Sequence, residues 1–214
     1  MTRPFIYGTF LYATTKLDFC QNQWYNIIKV VKKFTMQLYI NNTTYDNIIL
    51  FDIEYDGSLL VQLAFLILTK LEPNMYTVSK SFNLYVNPSQ PLSSFFTRYT
   101  HITNDFLCDN GVDLAVARTL VEESLLDIDV NNCLLVSHGI KNDADMLKRN
   151  NFALSNIKNH YCTYNMARKL LKRSNKLGLA DIAAEDGYFM FNAHNAYADV
   201  WGTLHAFCFL QNLT

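Results

Sequence analysis

The sequence has little of what loop-rich or cross-linked proteins are built from. Seven glycines and four prolines are spread over 214 residues, and no low-complexity linker or internal repeat divides the chain. Its five cysteines (Cys20, Cys108, Cys133, Cys162 and Cys208) are odd in number, widely spaced and free of any CxxC pair. That argues against a disulfide framework or a cysteine-held zinc site, and for a reducing compartment. Net charge is only −1, which excludes a global basic field of the kind that draws proteins non-specifically onto nucleic acid. Apolar runs such as LAFLIL at 63–68 are too short to cross a bilayer. The N-terminus lacks a basic start followed by an apolar stretch and a small-residue cleavage site. The expectation is a cytoplasmic or nuclear protein that is not secreted and has no membrane partner.

What is there suits a globular protein. Half the residues are hydrophobic and 17% are charged, and the length allows one well-buried domain with an appendage. Aromatics reach 14% and can fill a core or stack on bases, with core the expectation for most of them. The charge is uneven. Between Lys141 and Lys176 nine basic residues face only Asp143 and Asp145. These are either solvated faces of two helices or a local basic edge able to grip a few nucleotides.

The apolar, β-branched run at 48–53 (IILFDI) reads as a buried strand. Asp56-Gly57 is a turn signal, and LLVQLAFLIL at 59–68 then returns as the second strand of an antiparallel hairpin. A third strand is expected across 76–86, a helix over 112–126 capped by Asn110, and a short buried strand at 133–137. Helix follows at 144–149, an edge strand at 161–163, then helices over 164–173, 177–184 and 195–209. Strands first, then strands alternating with helices, give a mixed α/β sheet with helices on both faces. The domain is expected to occupy 47–212. Residues 1–46 form an extension, for which a hairpin followed by a helix is expected. Seven large aromatics in its first 25 residues (Phe5, Tyr7, Phe10, Tyr12, Phe19, Trp24 and Tyr25) suggest packing on the domain, on a second copy or on a partner.

Three segments carry candidate chemistry. In FDIEYDG (51–57), strand alternation puts Asp52 and Glu54 on one face. Two carboxylates ending a buried strand are costly unless neutralised, and hard oxygen-seeking cations such as Mg²⁺ or Mn²⁺ do this. Taken alone, the pair also fits a turn cap beside a solvated acid. In SHGIKNDADML (137–147), Asp143 falls in a first helical turn at the end of a strand, with Asp145 pointing about 200° away. In AHNAYADVWGTL (193–204), His194 precedes a helix that contains Asp199. Singly, each fits a helix-terminus role as well as a catalytic one.

Together, the order DxE, HxxxxD and HxAxxD resembles the three motifs of the DEDDh 3′–5′ exonucleases, the DnaQ-like and ribonuclease T-like enzymes. The resemblance covers about residues 47–212 and extends to VQLAFL, FFTRYTHIT and KLGLADIAAEDGY. It implies a ribonuclease H-like five-stranded sheet whose first three strands are antiparallel. It also implies two Mg²⁺ or Mn²⁺ ions held by Asp52, Glu54 and Asp199, with Asp143 completing the second site, and His194 as general base. Single-stranded DNA or RNA 3′ ends would be shortened to nucleoside 5′-monophosphates. The terminal nucleotide would lie against Tyr55, Asp56, Gly57, Leu63 and His101, with Tyr55 stacking on its base. Two positions depart from the pattern: Tyr55 stands where many relatives have threonine, and His101 where they have glycine. The alternative is a catalytically weak binding or interaction subunit that keeps the fold. A homodimer or larger complex through residues 1–46 is a further expectation.

Overall fold

The computed structural model describes residues 36–190 and 192–214. The hairpin, the helix and the aromatic cluster expected within residues 1–35 lie outside the described residues. Six strands form one mixed sheet: β1 (Gln37–Tyr39), β2 (Asn47–Asp56), β3 (Leu59–Glu72), β4 (Met75–Tyr85), β5 (Cys133–Ser137) and β6 (Asn159–Cys162), ordered β1-β4-β3-β2-β5-β6. β2, β3 and β4 are antiparallel neighbours, as expected, while β5 runs parallel to β2 and β6 parallel to β5. The sheet has one strand more than the expected five. β1 pairs antiparallel with β4, buries Leu38 and leads into buried Ile40, so the domain begins before residue 47. Asn41 and Asn42 bond to Asn212 and Thr214 near the other end of the chain. Self-association through residues 1–46 gains no support from this packing.

Alternation along β2 divides the core. Ile49, Phe51 and Ile53 face α3 (Leu114–Ser124) and α4 (Ile140–Arg149), joined by Leu63, Phe65 and Ile67 of β3. Ile48 and Leu50 face α7 (Ala196–Gln211), joined by Ala64, Leu66 and Leu68. α7 is apolar nearly all round because α5 (Thr163–Leu171) and α6 (Leu179–Glu185) pack behind it through Ala206 and Leu210.

Two seven-residue helices, α1 (Ser94–Thr100) and α2 (Asn104–Asn110), occupy the stretch after β4 where no helix was expected. Each starts at a hydroxyl cap, with Ser93 accepting from the Phe96 N–H and Thr103 from the Phe106 N–H. Asn110 therefore ends α2, and Asp113 is the cap of α3.

Candidate active site

β2 enters the site as a buried strand and leaves it carrying charge. Asp52 and Glu54 continue the face of Ile48 and Leu50, beneath the start of α7. Asp199 lies in the first turn of α7 at 9% exposure. Asp143, 8% exposed, lies in the first turn of α4, just beyond β5. Because β5 is parallel to β2, both strands deliver their carboxylates at one end of the sheet. The Ser137 hydroxyl donates to Asp143 Oδ2 at 2.6 Å. Asp145 is exposed, one helical face away.

The four carboxylates are electrostatically one group. Burial, then the charges of Asp143, Asp199 and Glu54, holds Asp52 well above the usual carboxylate range. Burial, then Asp199 and Asp143, raises Glu54 to about 7. Burial raises Asp143 to about 6 against the opposing bond from Ser137. It raises Asp199 to about 6 against the bond from the His194 N–H. Clustered oxygen donors that resist ionising together are the donor set a hard divalent cation fits. One ligand atom each from Glu54, His194 and Asp199 lie within 4.8 Å of one another. The motif pattern sets His194 apart from the metal ligands, whereas its ring reaches the same space.

His194 takes a left-handed backbone conformation (φ +66°), and its N–H donates to Asp199 Oδ2 at 3.1 Å. Its ring rests on Tyr99 of α1, with centroids 3.9 Å apart, and burial lowers its pKa. The next residues are anchored by Gln62 of β3, whose side chain is fully buried. Its Oε1 accepts from the Ala196 N–H at 3.1 Å, and its Nε2 donates to Asn83 at 2.8 Å and to Asn195, the cap of α7, at 3.5 Å. Gln62, Ser137 and Tyr99 contact the candidate site residues or their neighbours, and the sequence alone does not single them out. Gln62 leaves a signal, being the lone polar residue in an otherwise apolar run.

The residues expected to cradle a nucleotide divide differently. Leu63 is fully buried in the core on the α3 and α4 side, so it cannot touch a substrate. Tyr55 packs against that same cluster, because alternation turns it away from Glu54 and with it from a stacking role. Asp56 is occupied: its carboxylate accepts from the Ser93 N–H at 2.5 Å and the Ser93 hydroxyl at 3.0 Å, tying the end of β2 to α1. Gly57 makes the exposed hairpin turn at φ +62°. His101 is exposed at the end of α1, two residues past Tyr99, with φ +62°. It adopts the left-handed backbone that the glycine of the resembled motif reaches without strain.

A mixed sheet with a carboxylate cluster where β2, α4 and α7 converge defines a ribonuclease H-like exonuclease fold. The exonuclease family model RNase_T matches residues 57–207, well over half of the chain, and this protein belongs to that family. The match opens just past Asp52 and Glu54, which the geometry supplies. Among solved structures, the chain resembles a 3′-exonuclease described in 3′-end-specific recognition of a histone mRNA stem-loop (18% identity, TM-score 0.61, 79% of this chain and 65% of that one). It also resembles the nuclease domain of 3′hExo, a DEDDh family member bound to rAMP (16%, TM-score 0.62, 80% and 94%). A third is E. coli exonuclease I in complex with a dA16 oligonucleotide (16%, TM-score 0.57, 74% and 39%). The chain thus spans just under two thirds of the first of these and well under half of the last. No curated protein sequence matches it.

Proposed function

We propose that the protein is a metal-dependent 3′–5′ exonuclease that removes nucleoside 5′-monophosphates from single-stranded DNA or RNA. The observation that carries this reading is the convergence of Asp52, Glu54, Asp143, Asp199 and His194 from separate parts of the chain. Asp52, Glu54 and Asp199 would hold Mg²⁺ or Mn²⁺, with Asp143 serving a second ion. Such ions supply charge stabilisation for the attacking and leaving oxygens of an in-line displacement. His194, kept neutral by its lowered pKa, accepts a proton from the attacking water at an imidazole nitrogen. The direct test is digestion of matched 5′-labelled DNA and RNA oligonucleotides with Mg²⁺, with Mn²⁺ and with chelator. A ladder shortening from the 3′ end, abolished by chelator, supports the reading. Undiminished cutting in excess EDTA, or cutting of a circular strand, would sink it.

The middle motif gives a sharper comparison. Asp143 is buried at the site, whereas Asp145 lies on another helical face. Asp143→Ala should therefore lose at least ~10²-fold in kcat, and Asp145→Ala should stay near the unsubstituted rate. Equal losses would show that the wrong acid has been assigned.

The raised carboxylates also set a pH dependence for the metal-free protein. Their folded-state pKa values lie above the unfolded ones, so their stabilising contribution is complete below about pH 4. It disappears as pH rises through about 6 for Asp143 and Asp199 and about 7 for Glu54. In EDTA, moving from pH 5 to pH 8 should remove at least ~3 kcal/mol, or roughly 6–12 °C of Tm for a chain of this size. Saturating Mn²⁺ should restore most of that at pH 8. Melting curves that ignore both pH and metal would contradict the clustering.

A further inference from the structure

The uneven charge of the sequence has a definite place in the fold. α5 turns Thr163 and Ala167 inward, with Leu170 and Leu171 packed beside them. Its exposed residues are Tyr164, Asn165, Arg168 and Lys169. The exposed C-cap Lys172 follows. At 100° per residue these fall within one arc of about 140°. No aspartate or glutamate occurs between Met146 and Ala180. Among the described residues the ion pairs are Lys80–Asp127, Arg173–Glu185 and His205–Asp186. Arg168, Lys169 and Lys172 therefore line one helix face with no anionic partner among the described residues.

This face starts beside the carboxylates. Cys162, the last residue of β6, pairs with Ser137, whose hydroxyl holds Asp143. Tyr164 meets the ring of His138, the residue after Ser137, edge-on at 5.7 Å between centroids, and keeps 38% of its surface exposed. An exposed aromatic thus stands at the end of this face toward the site, and three unpaired cations continue from it along a helix about 13 Å long.

We propose that this face of α5 is the track for the upstream part of a single-stranded substrate. Arg168, Lys169 and Lys172 take successive phosphates, and Tyr164 stacks on an unpaired base. The proposal rests on the exonuclease reading of the carboxylate site. Single-strand grooves combine these two elements, a line of cations for the backbone and an aromatic platform that accepts any base. The track also answers how a chain of net charge −1 grips a polyanion: three cations with no acidic neighbour in sequence share the one helix face that the substrate crosses.

The test neutralises the face without shortening it, in the triple variant Arg168→Gln/Lys169→Gln/Lys172→Gln of the full chain. None of the three side chains is buried, and glutamine keeps the helix-compatible stem. Two quantities are compared with the unsubstituted protein: the ratio of kcat/KM for an oligonucleotide of about 20 residues to that for a dinucleotide, and the salt dependence of oligonucleotide binding by fluorescence anisotropy. The ratio should fall by at least ~10-fold, because a dinucleotide does not reach the track. The slope of log K against log salt should shrink by about 2, at ~0.7 for each phosphate no longer neutralised. A ratio and slope equal to those of the unsubstituted protein would overturn the track. Oligonucleotide binding with the expected salt slope but no hydrolysis of either substrate would overturn the exonuclease reading and leave the track standing. Neither binding nor hydrolysis would overturn both.

Discussion

Asp52→Ala should lower the rate of 3′-terminal hydrolysis by at least ~10³-fold, since charge stabilisation at a metal site is worth several kcal/mol. The same substitution should make the metal-free protein more stable at pH 8. Asp52 is buried among three other acids, and its ionised form is opposed by burial and by each of those charges. Removing it relieves repulsion that only a bound cation otherwise offsets. Asp52→Asn, which keeps the shape, should show the same pair of effects, slower hydrolysis with higher metal-free stability. Few structural residues behave so, because truncating a core side chain costs stability. Turnover within tenfold of the unsubstituted protein, measured with saturating Mn²⁺ at matched protein concentration, would remove Asp52 from the chemistry.

His194→Ala should reduce kcat by about 10²–10⁴-fold, the usual range for a positioned general base. KM for the oligonucleotide should change little. The Mn²⁺ concentration needed for half-maximal stabilisation decides what else His194 does. If the ring acts only on the proton, that concentration is unchanged. If its approach to Glu54 and Asp199 within 4.8 Å makes it a ligand, it rises together with the loss in kcat. The acid limb of the pH–rate profile should disappear in the variant, although a metal-bound water titrates in the same region. A folded His194→Ala protein with unaltered turnover would exclude the histidine from the mechanism.

Most of the site is legible in the sequence because one periodicity governs it. The alternation that places Asp52 and Glu54 together is the alternation observed along β2. Applied one residue further, the same rule turns Tyr55 to the opposite face, and on β3 it sends Leu63 there too, so Leu63 belongs to the core and the half-buried Tyr55 packs against it. α1 and α2 escape because seven-residue helices offer no extended apolar stripe to detect, and only their hydroxyl caps announce them. β1 escapes because three residues with a single inward side chain give no pattern. Tyr99 is invisible as a partner of His194, since their contact joins positions far apart in the chain. Gln62 stands out only as the lone polar letter of its run and Ser137 looks ordinary, and what each holds emerges only once burial leaves its hydrogen bond without a substitute.

The site draws on two unlike parts of the chain. Asp52 and Glu54 sit on the central strand β2, paired with Ala64 and Gln62 of β3 just past the last β2–β5 pair at Leu50, and amides of such core strands are among the last to open. His194 sits on the connection between α6 and α7, placed by one backbone bond to Asp199, a ring contact with Tyr99 and the Gln62 anchor two residues on. Hydrogen exchange should therefore separate them, with protection high at Asp52 and low across 192–194. On the proposed reading, the cation-holding strand arrives with the folding of the sheet, whereas the proton-accepting segment depends on contacts that can be weakened one at a time. On that reading, turnover can drift over generations, or be tuned by design at Tyr99 and Asn195, while the cation site stays as it is.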